Sequence, residues 1–149
     1  GRFILRAAYT DSVNKAAAAQ TGEGIVILHA PLLPVSKAVE AKDIAFNTDS
    51  TTATVKTSGA WLKFNVDLTG IKNLSIVSAG GRRGATANGT IEVYTGSPQG
   101  KLLGKFNGDY DPKGMKITLP NGTTGVTDLY FVFTGAPLRV NGIRFSEGN

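Results

Sequence analysis

The chain has 149 residues, no cysteine, one histidine and a net charge of +5. That length fits a single domain, 1–149, able to bury roughly 70% of the surface its unfolded form exposes. The missing thiols exclude disulfides, thiolate metal sites and cysteine nucleophiles, and no apolar run approaches the ~20 residues of a membrane span. A basic balance raises the question of a polyanion partner. The positive residues are scattered, however, and only Arg82 and Arg83 are adjacent. No RNA-binding motif or basic helix accompanies them, so they read as solvated surface charge and nucleic acid is not an expected partner. No signal peptide is recognisable. The chain opens at Gly1 directly on a predicted strand, as an excised domain would, so any targeting segment is expected to have been removed.

In chain order, residues 3–8 (FILRAA) read as a first strand. Residues 10–24 are polar and alanine-rich, with one helical turn predicted at 16–19. The β-branched run 25–29 (IVILH) is stopped by Pro31 and Pro34, which cannot join a central ladder. Residues 39–46 and 51–57 are weaker strands separated by the turn-prone Asn47-Thr48-Asp49-Ser50. In AWLKFNVD, Leu62, Phe64 and Val66 share one face, and Trp61, Lys63 and Asn65 share the other. Residues 74–77 follow as another strand, then a loop around Gly80-Gly81-Arg82-Arg83-Gly84. Strands at 91–95 and 101–106 flank Gly96-Ser97-Pro98-Gln99-Gly100. Proline at the second turn position and glycine at the end predict a hairpin there. Met115, Ile117 and Leu119 alternate in one more strand, closed by Asn121-Gly122.

The most informative stretch is residues 125–145, GVTDLYFVFTGAPLRVNGIRF. Leu129, Phe131 and Phe133 lie on one face and Tyr130 and Val132 on the other, so both phases of the strand period are apolar. A half-exposed strand alternates, whereas one covered on both faces does not, which predicts a central strand. After Gly135-Ala136-Pro137, a second run carries Leu138, Val140, Ile143 and Phe145. Its spacing slips by one at Asn141-Gly142, which predicts a bulge or sharp bend. About ten short strands with a turn signal every eight to twelve residues make an all-β chain, a β-sandwich or jelly roll.

Catalytic constellations are weak. The one histidine, His29, sits in an apolar run without a second imidazole or a thiol. Asp109 and Asp111 flank Tyr110 before Pro112, where turn formation accounts for them. The glycine-rich loop at 80–84 follows a strand but leads into no helix and lacks the lysine of a phosphate cradle.

The order of motifs carries more than any one of them. SGAWLKFNVDLTGI, NGTIEVYTGSPQGKLLG, GVTDLYFVF and RVNGIRF follow one another over residues 58–145, and this order resembles the family 6 carbohydrate-binding modules. The opening ILRAAYTD also resembles modules appended to bacterial sugar dehydrogenases and other exported multidomain enzymes. The resemblance implies a jelly roll that binds glycans and catalyses nothing. It places the ligand in a cleft between loops at one end of the sandwich, or on the concave face of one sheet. In the loop cleft two aromatic rings commonly sandwich a sugar, while an asparagine near the C-terminus bonds its hydroxyls.

Carried onto this chain, the resemblance puts Tyr110 in the loop of one sandwiching aromatic. Val55, Lys56 and Thr57 stand where the second aromatic would precede Gly59-Ala60-Trp61. The family's Asn-apolar-Asp/Asn-Trp motif appears as Arg139-Val140-Asn141-Gly142, so Arg139 replaces the ligand-bonding asparagine and Gly142 the tryptophan. A guanidinium can donate to sugar hydroxyls, or bidentately to a carboxylate. The expected carbohydrate-binding residues are therefore Tyr110, Arg139, Asn141 and Trp61. Each has a plain structural alternative: Tyr110 covering the sandwich end, Trp61 packing, Arg139 a solvated charge, Asn141 a bulge residue.

The family often holds a structural calcium near its first strand. Arg6-Ala7-Ala8 offers no carboxylate, so neither calcium nor another cofactor is expected. The expected protein is a non-catalytic, monomeric, secreted or periplasmic module of a bacterial enzyme. Its partners are a polysaccharide or oligosaccharide and a catalytic domain in the same parent chain, with no membrane partner. The alternatives are a structural interdomain module with a degenerate cleft, and a binder of acidic glycans.

Overall fold

The computed structural model describes residues 2–10, 21–78, 89–107, 116–135 and 139–147. The chain divides into two compact units, Gly1–Ala30 and Pro31–Asn149. The first holds β1 (Arg2–Thr10) and β2 (Thr21–His29), a two-stranded antiparallel sheet of its own. Both expected strands are present, and pairing with β1 extends β2 back through Thr21-Gly22-Glu23-Gly24, where propensity alone predicts none. The turn expected at 16–19 lies outside the described residues.

The second unit begins with β3 (Leu32–Pro34) and a single 3-10 turn (Val35–Lys37), followed by β4 (Glu40–Lys42), β5 (Ile44–Phe46) and β6 (Ala53–Val55). Then come β7 (Ala60–Asp67), β8 (Asn73–Ser78), β9 (Thr90–Thr95), β10 (Lys101–Asn107), β11 (Lys116–Thr118), β12 (Val126–Thr134) and β13 (Arg139–Ser146). No α-helix occurs among the described residues. One sheet runs β10-β9-β12-β7-β4; the other runs β11-β8-β13-β6-β5, with β3 also on β13. Apart from the β5–β6 and β9–β10 hairpins, strands consecutive in sequence fall in opposite sheets, and the unit is a β-sandwich jelly roll.

Local chemistry explains most turns. Ser97-Pro98-Gln99-Gly100 closes with the Gly100 amide donating to the Ser97 carbonyl at 3.0 Å. A Cβ on Gly100 would lie 1.9 Å from the Thr95 oxygen, so the turn requires glycine. Asn47 organises the β5–β6 turn: its amide donates to the Thr52 carbonyl at 3.0 Å, and its Oδ1 accepts from the Thr52 amide at 2.7 Å. The single strand expected over 39–46 is instead two. Asp43 adopts φ 56°, and on either side of it β4 pairs with β7 while β5 pairs with β6 in the other sheet. A left-handed residue breaks the pleat, so the chain changes layers there. β3 contains Pro34, which the ladder tolerates because it faces only the edge of β13 opposite Gly142.

β12 is the central strand, between β9 and β7. Leu129, Phe131 and Phe133 point inward and are at most 1% exposed, beside Leu62 and Phe64 of β7 and Ile91 and Val93 of β9. Phe64 and Phe131 meet edge to face, with ring centroids 5.7 Å apart. The facing sheet contributes Val55, Leu74, Val140 and Ile143, all buried in the same core. On the outward face Tyr130 packs against its neighbours on β7. Trp61 meets its ring edge-on at 5.3 Å, and the Lys63 ammonium lies 5.7 Å from its centre.

Lys63 bridges Glu40 at 3.1 Å and Asp128 at 3.2 Å, and Asn65 donates to Asp128 at 2.8 Å. Bonding by Asn65, and then by Lys63, holds the Asp128 carboxyl below its ordinary pKa. The same Glu40 and Asp128 contacts raise that of Lys63.

At Asn141-Gly142 the pairing of β13 with β8 slips between Val140 and Gly142, which is the predicted bulge. Glycine is required there for a second reason: a Cβ on Gly142 would sit 2.6 Å from the Leu33 carbonyl oxygen of β3. Gly142→Ala is expected to destabilise the fold by about 1–3 kcal/mol, the usual cost of forcing atoms into a packed site. A urea midpoint equal to the wild type's would refute this close approach. Asp128 supplies a second prediction. A carboxyl whose folded pKa is depressed contributes stability above its unfolded pKa, about 4, and loses it as pH falls through the folded value. The urea midpoint is therefore expected to drop between pH 6 and pH 3, and to drop less in Asp128→Asn. Identical profiles would mean that the contact has no such role.

Candidate functional site

Strand direction gathers one set of strand ends at one end of the sandwich. In the five-stranded sheet Asn107 pairs with Thr90, Thr90 with Thr134, and Phe133 with Ala60. In the facing sheet Ser78 pairs with Val140, and Arg139 with Thr54. The ends of β6, β8, β10 and β12 and the starts of β7, β9 and β13 therefore meet here.

The described loop backbone at this end is fastened tightly. The Gly59 amide donates to the Phe133 carbonyl at 2.7 Å, and the Gly135 amide to Ser58 Oγ at 3.4 Å. Thr90 and Thr134 share a hydroxyl hydrogen bond across the strand ends. Gly59, at φ 86°, occupies a conformation that favours glycine and starts β7 with Ala60 buried.

Arg139 opens β13 at this end with its side chain exposed. Among the described residues no hydrogen bond or ion pair engages its guanidinium, leaving a flat array of donors directed at solvent. Asn141 stands at the bulge, beyond the inward Val140, and is half-buried. Its Oδ1 accepts from Thr52 Oγ1 at 3.4 Å, a long bond that holds the amide against the β5–β6 turn. Asn141 is thus a bulge residue in structure as well as a candidate ligand. The structure brings Arg139 and Asn141 together on one strand.

It does not bring Trp61 to them. Trp61 lies on the outward face of the opposite sheet, half-buried against Tyr130. Tyr110, with Asp109, Asp111, Arg82 and Arg83, lies outside the described residues. The preceding strand, β10, ends at Asn107 at this end of the sandwich.

Two further features were not singled out from sequence. The outward face of the five-stranded sheet carries Trp61, Tyr94 and Tyr130 among paired charges. There the Tyr94 hydroxyl donates to Glu92 at 2.8 Å, and Lys105 lies 3.3 Å from the same carboxylate. The bond from Tyr94, followed by that from Lys105, lowers the Glu92 pKa, and the same carboxylate raises that of Tyr94. Alternation along each strand places such residues outward, but only the pairing of β9 with β12 makes them one surface. At the opposite end of the sandwich a recess of about 200 Å³ is lined by Thr95, Lys101, Leu103, Asn121, Thr123 and Thr127. It offers hydroxyls but no ring against which a sugar face could stack. Among the described residues no cluster of three His, Asp or Glu side chains could hold a metal ion.

Comparison with known proteins agrees with this architecture. No curated protein sequence matches the chain. Among solved structures, a family 6 carbohydrate-binding module from Clostridium cellulolyticum in complex with xylose is 25% identical, with a TM-score of 0.61 over 78% of this chain and 96% of that one. CsCBM6-3 from Clostridium stercorarium in complex with cellobiose is 22% identical, with a TM-score of 0.60 over 78% and 93%. A glycoside hydrolase family 43 arabinoxylan arabinofuranohydrolase from Bacillus subtilis, in complex with cellotetraose, is 22% identical with a TM-score of 0.58; the match covers 84% of this chain but 29% of the enzyme. The family described as carbohydrate binding module (family 6) matches residues 35–147, most of the chain and nearly all of the second unit. With the β-sandwich and this match in agreement, the chain belongs to family 6 of the carbohydrate-binding modules.

Proposed function

We propose that the second unit binds a glycan at the end where β13 begins, and so holds a parent exported bacterial enzyme against a polysaccharide. The observation that carries this reading is Arg139: an exposed guanidinium, unengaged among the described residues, at the position where the family motif places its ligand-bonding asparagine. Arg139 and the free arm of the Asn141 amide donate to or accept from sugar hydroxyls, and Tyr110 supplies the ring on which a pyranose face lies. Covering a ring removes about 60 Å² of apolar surface from water, worth roughly 1.5 kcal/mol. The polar donors fix orientation, because a hydroxyl buried without a partner costs more than a satisfied one gains. Trp61, on the other sheet's outward face, supports Tyr130 and stands apart from this contact. The module does no chemistry. It acts as a monomer that raises the local concentration of substrate for a tethered catalytic domain outside the cell.

A second reading draws on the same side chain. A guanidinium where the family uses a neutral amide suits a carboxylate bidentately, which favours a uronic-acid glycan. The two readings separate in affinity gels containing neutral or uronic-acid polysaccharides, run with the wild type, Tyr110→Ala and Arg139→Ala. The neutral-glycan reading expects saturable retardation on a neutral gel that Tyr110→Ala weakens about tenfold and Arg139→Ala several-fold. Retardation confined to acidic gels and abolished by salt would establish the second reading. Retention indifferent to both substitutions would remove the site from this end, and no retention on any gel would leave a structural module.

A further inference from the structure

Asn-Gly pairs occur in the chain at 88–89, 107–108, 121–122 and 141–142. This dipeptide carries a reaction of its own. The backbone nitrogen of the residue after asparagine can attack the side-chain carbonyl carbon, and glycine, with no Cβ beside that nitrogen, obstructs the approach least. The backbone decides whether the attack happens, because the two atoms meet only after rotation about the asparagine's ψ. The pairs at 88–89 and 107–108 include residues outside the described ones. The other two are described completely, and the fold holds them in opposite ways.

Asn121 and Gly122 are the central residues of the turn that follows β11, and both are exposed. Thr123 closes this turn onto the Pro120 carbonyl, which accepts from its amide at 3.1 Å and from its Oγ1 at 2.6 Å. Gly122 has φ 82°, which the third position of such a turn favours glycine for, and nothing lies within 4 Å of where its Cβ would be. Among the described residues no hydrogen bond takes up the Gly122 amide or the Asn121 side chain. The turn can therefore flex without disturbing either sheet.

At 141–142 the ladder forbids the same movement. Gly142 is buried and paired on both sides, opposite Pro34 of β3 and Val77 of β8. The Leu33 carbonyl oxygen crowds it, and Asn141 Oδ1 accepts from Thr52. Turning Asn141 requires opening β13 from its neighbours. Opening costs almost nothing in exposed turns and approaches the cost of global unfolding in core strands.

We propose that Asn121 is a site of spontaneous covalent modification. The Gly122 amide nitrogen loses its proton and bonds to Asn121 Cγ, and the Cγ–Nδ2 bond breaks to release ammonia, leaving a succinimide ring. Water then opens the ring. Attack at Cγ gives aspartate, and attack at the Asn121 backbone carbonyl gives isoaspartate. One water is consumed and one ammonia released, with no oxidant or reductant. Each event puts a carboxylate on the wall of the recess that Lys101 also lines and lowers the net charge of +5 by one. Lys101 engages no carboxylate among the described residues before this happens. Asn141, at the other end of the sandwich, keeps its amide.

Peptide mapping of the folded 149-residue chain, held at mildly alkaline pH and sampled over weeks, tests this. Trypsin cleavage after Lys116, Arg139 and Arg144 places Asn121 in the peptide 117–139 and Asn141 in 140–144. Conversion is read by mass spectrometry, and isoaspartate by labelling with an isoaspartyl methyltransferase. Asn121 is expected to convert at least about 100-fold faster than Asn141, the gap between opening a turn and opening a core strand. Isoaspartate is expected in the 117–139 peptide, and in the urea-unfolded chain the two rates are expected to converge. Equal rates in the folded chain would overturn the proposal. So would aspartate without isoaspartate, because direct hydrolysis forms no ring. A rate difference that persists in urea would also overturn it, by tracing the selectivity to neighbouring residues and not to the fold.

Discussion

The constraint on which the second unit depends is the seating of β12 between β9 and β7 with Leu129, Phe131 and Phe133 turned inward. Burying side chains of this size is worth about 1.5–3 kcal/mol each relative to exposure, and the three are stacked along one strand face. Because side chains alternate, that choice also decides what stands outside: Asp128 and Tyr130 must point outward, where they meet Asn65, Lys63 and Trp61 of β7. The outward ladder is thus a consequence of the core register. A slip of one residue would exchange the two sets and leave charges in the core.

With both faces of β12 committed in this way, the proposed glycan contact falls to the ends of the strands. Loops between the sheets carry no core, so their residues can change without disturbing the packing. The bulge at Asn141-Gly142 belongs to this logic. It lets β13 exchange neighbours, from β6 at Arg139 and Val140 to β3 at Gly142, while Val140 and Ile143 both stay inside. The family's ligand-bonding motif and the strand's change of partners therefore occupy the same four residues. Asn141 is half-buried at the bulge and bonded by Thr52, so a substitution there touches the fold, whereas Arg139 is exposed at the strand start and can change without disturbing the packing.

The sandwich covers its apolar faces with a second sheet. In the first unit β1 and β2 form a ladder of their own, with Leu5 and Tyr9 exposed. From sequence alone, residues 3–8 and 25–29 are two more strands of a single domain. The structure pairs them with each other and with neither sheet of the sandwich.

The sequence by itself determined the fold class, the inward faces of β7 and β12, the Ser-Pro-Gln-Gly turn and the bulge at Asn141-Gly142. All of these are written in side-chain alternation and turn chemistry, which act over a few residues. Tertiary structure alone decided the layer switch at Asp43, because the local pattern of residues 39–46 is equally good for one strand or two. It also decided that Trp61 and Arg139 stand on opposite sheets, which no spacing along the chain reveals. Partner choice between strands is non-local. Short-range pattern specifies which residues point together, and only the completed pairing specifies which surfaces they share.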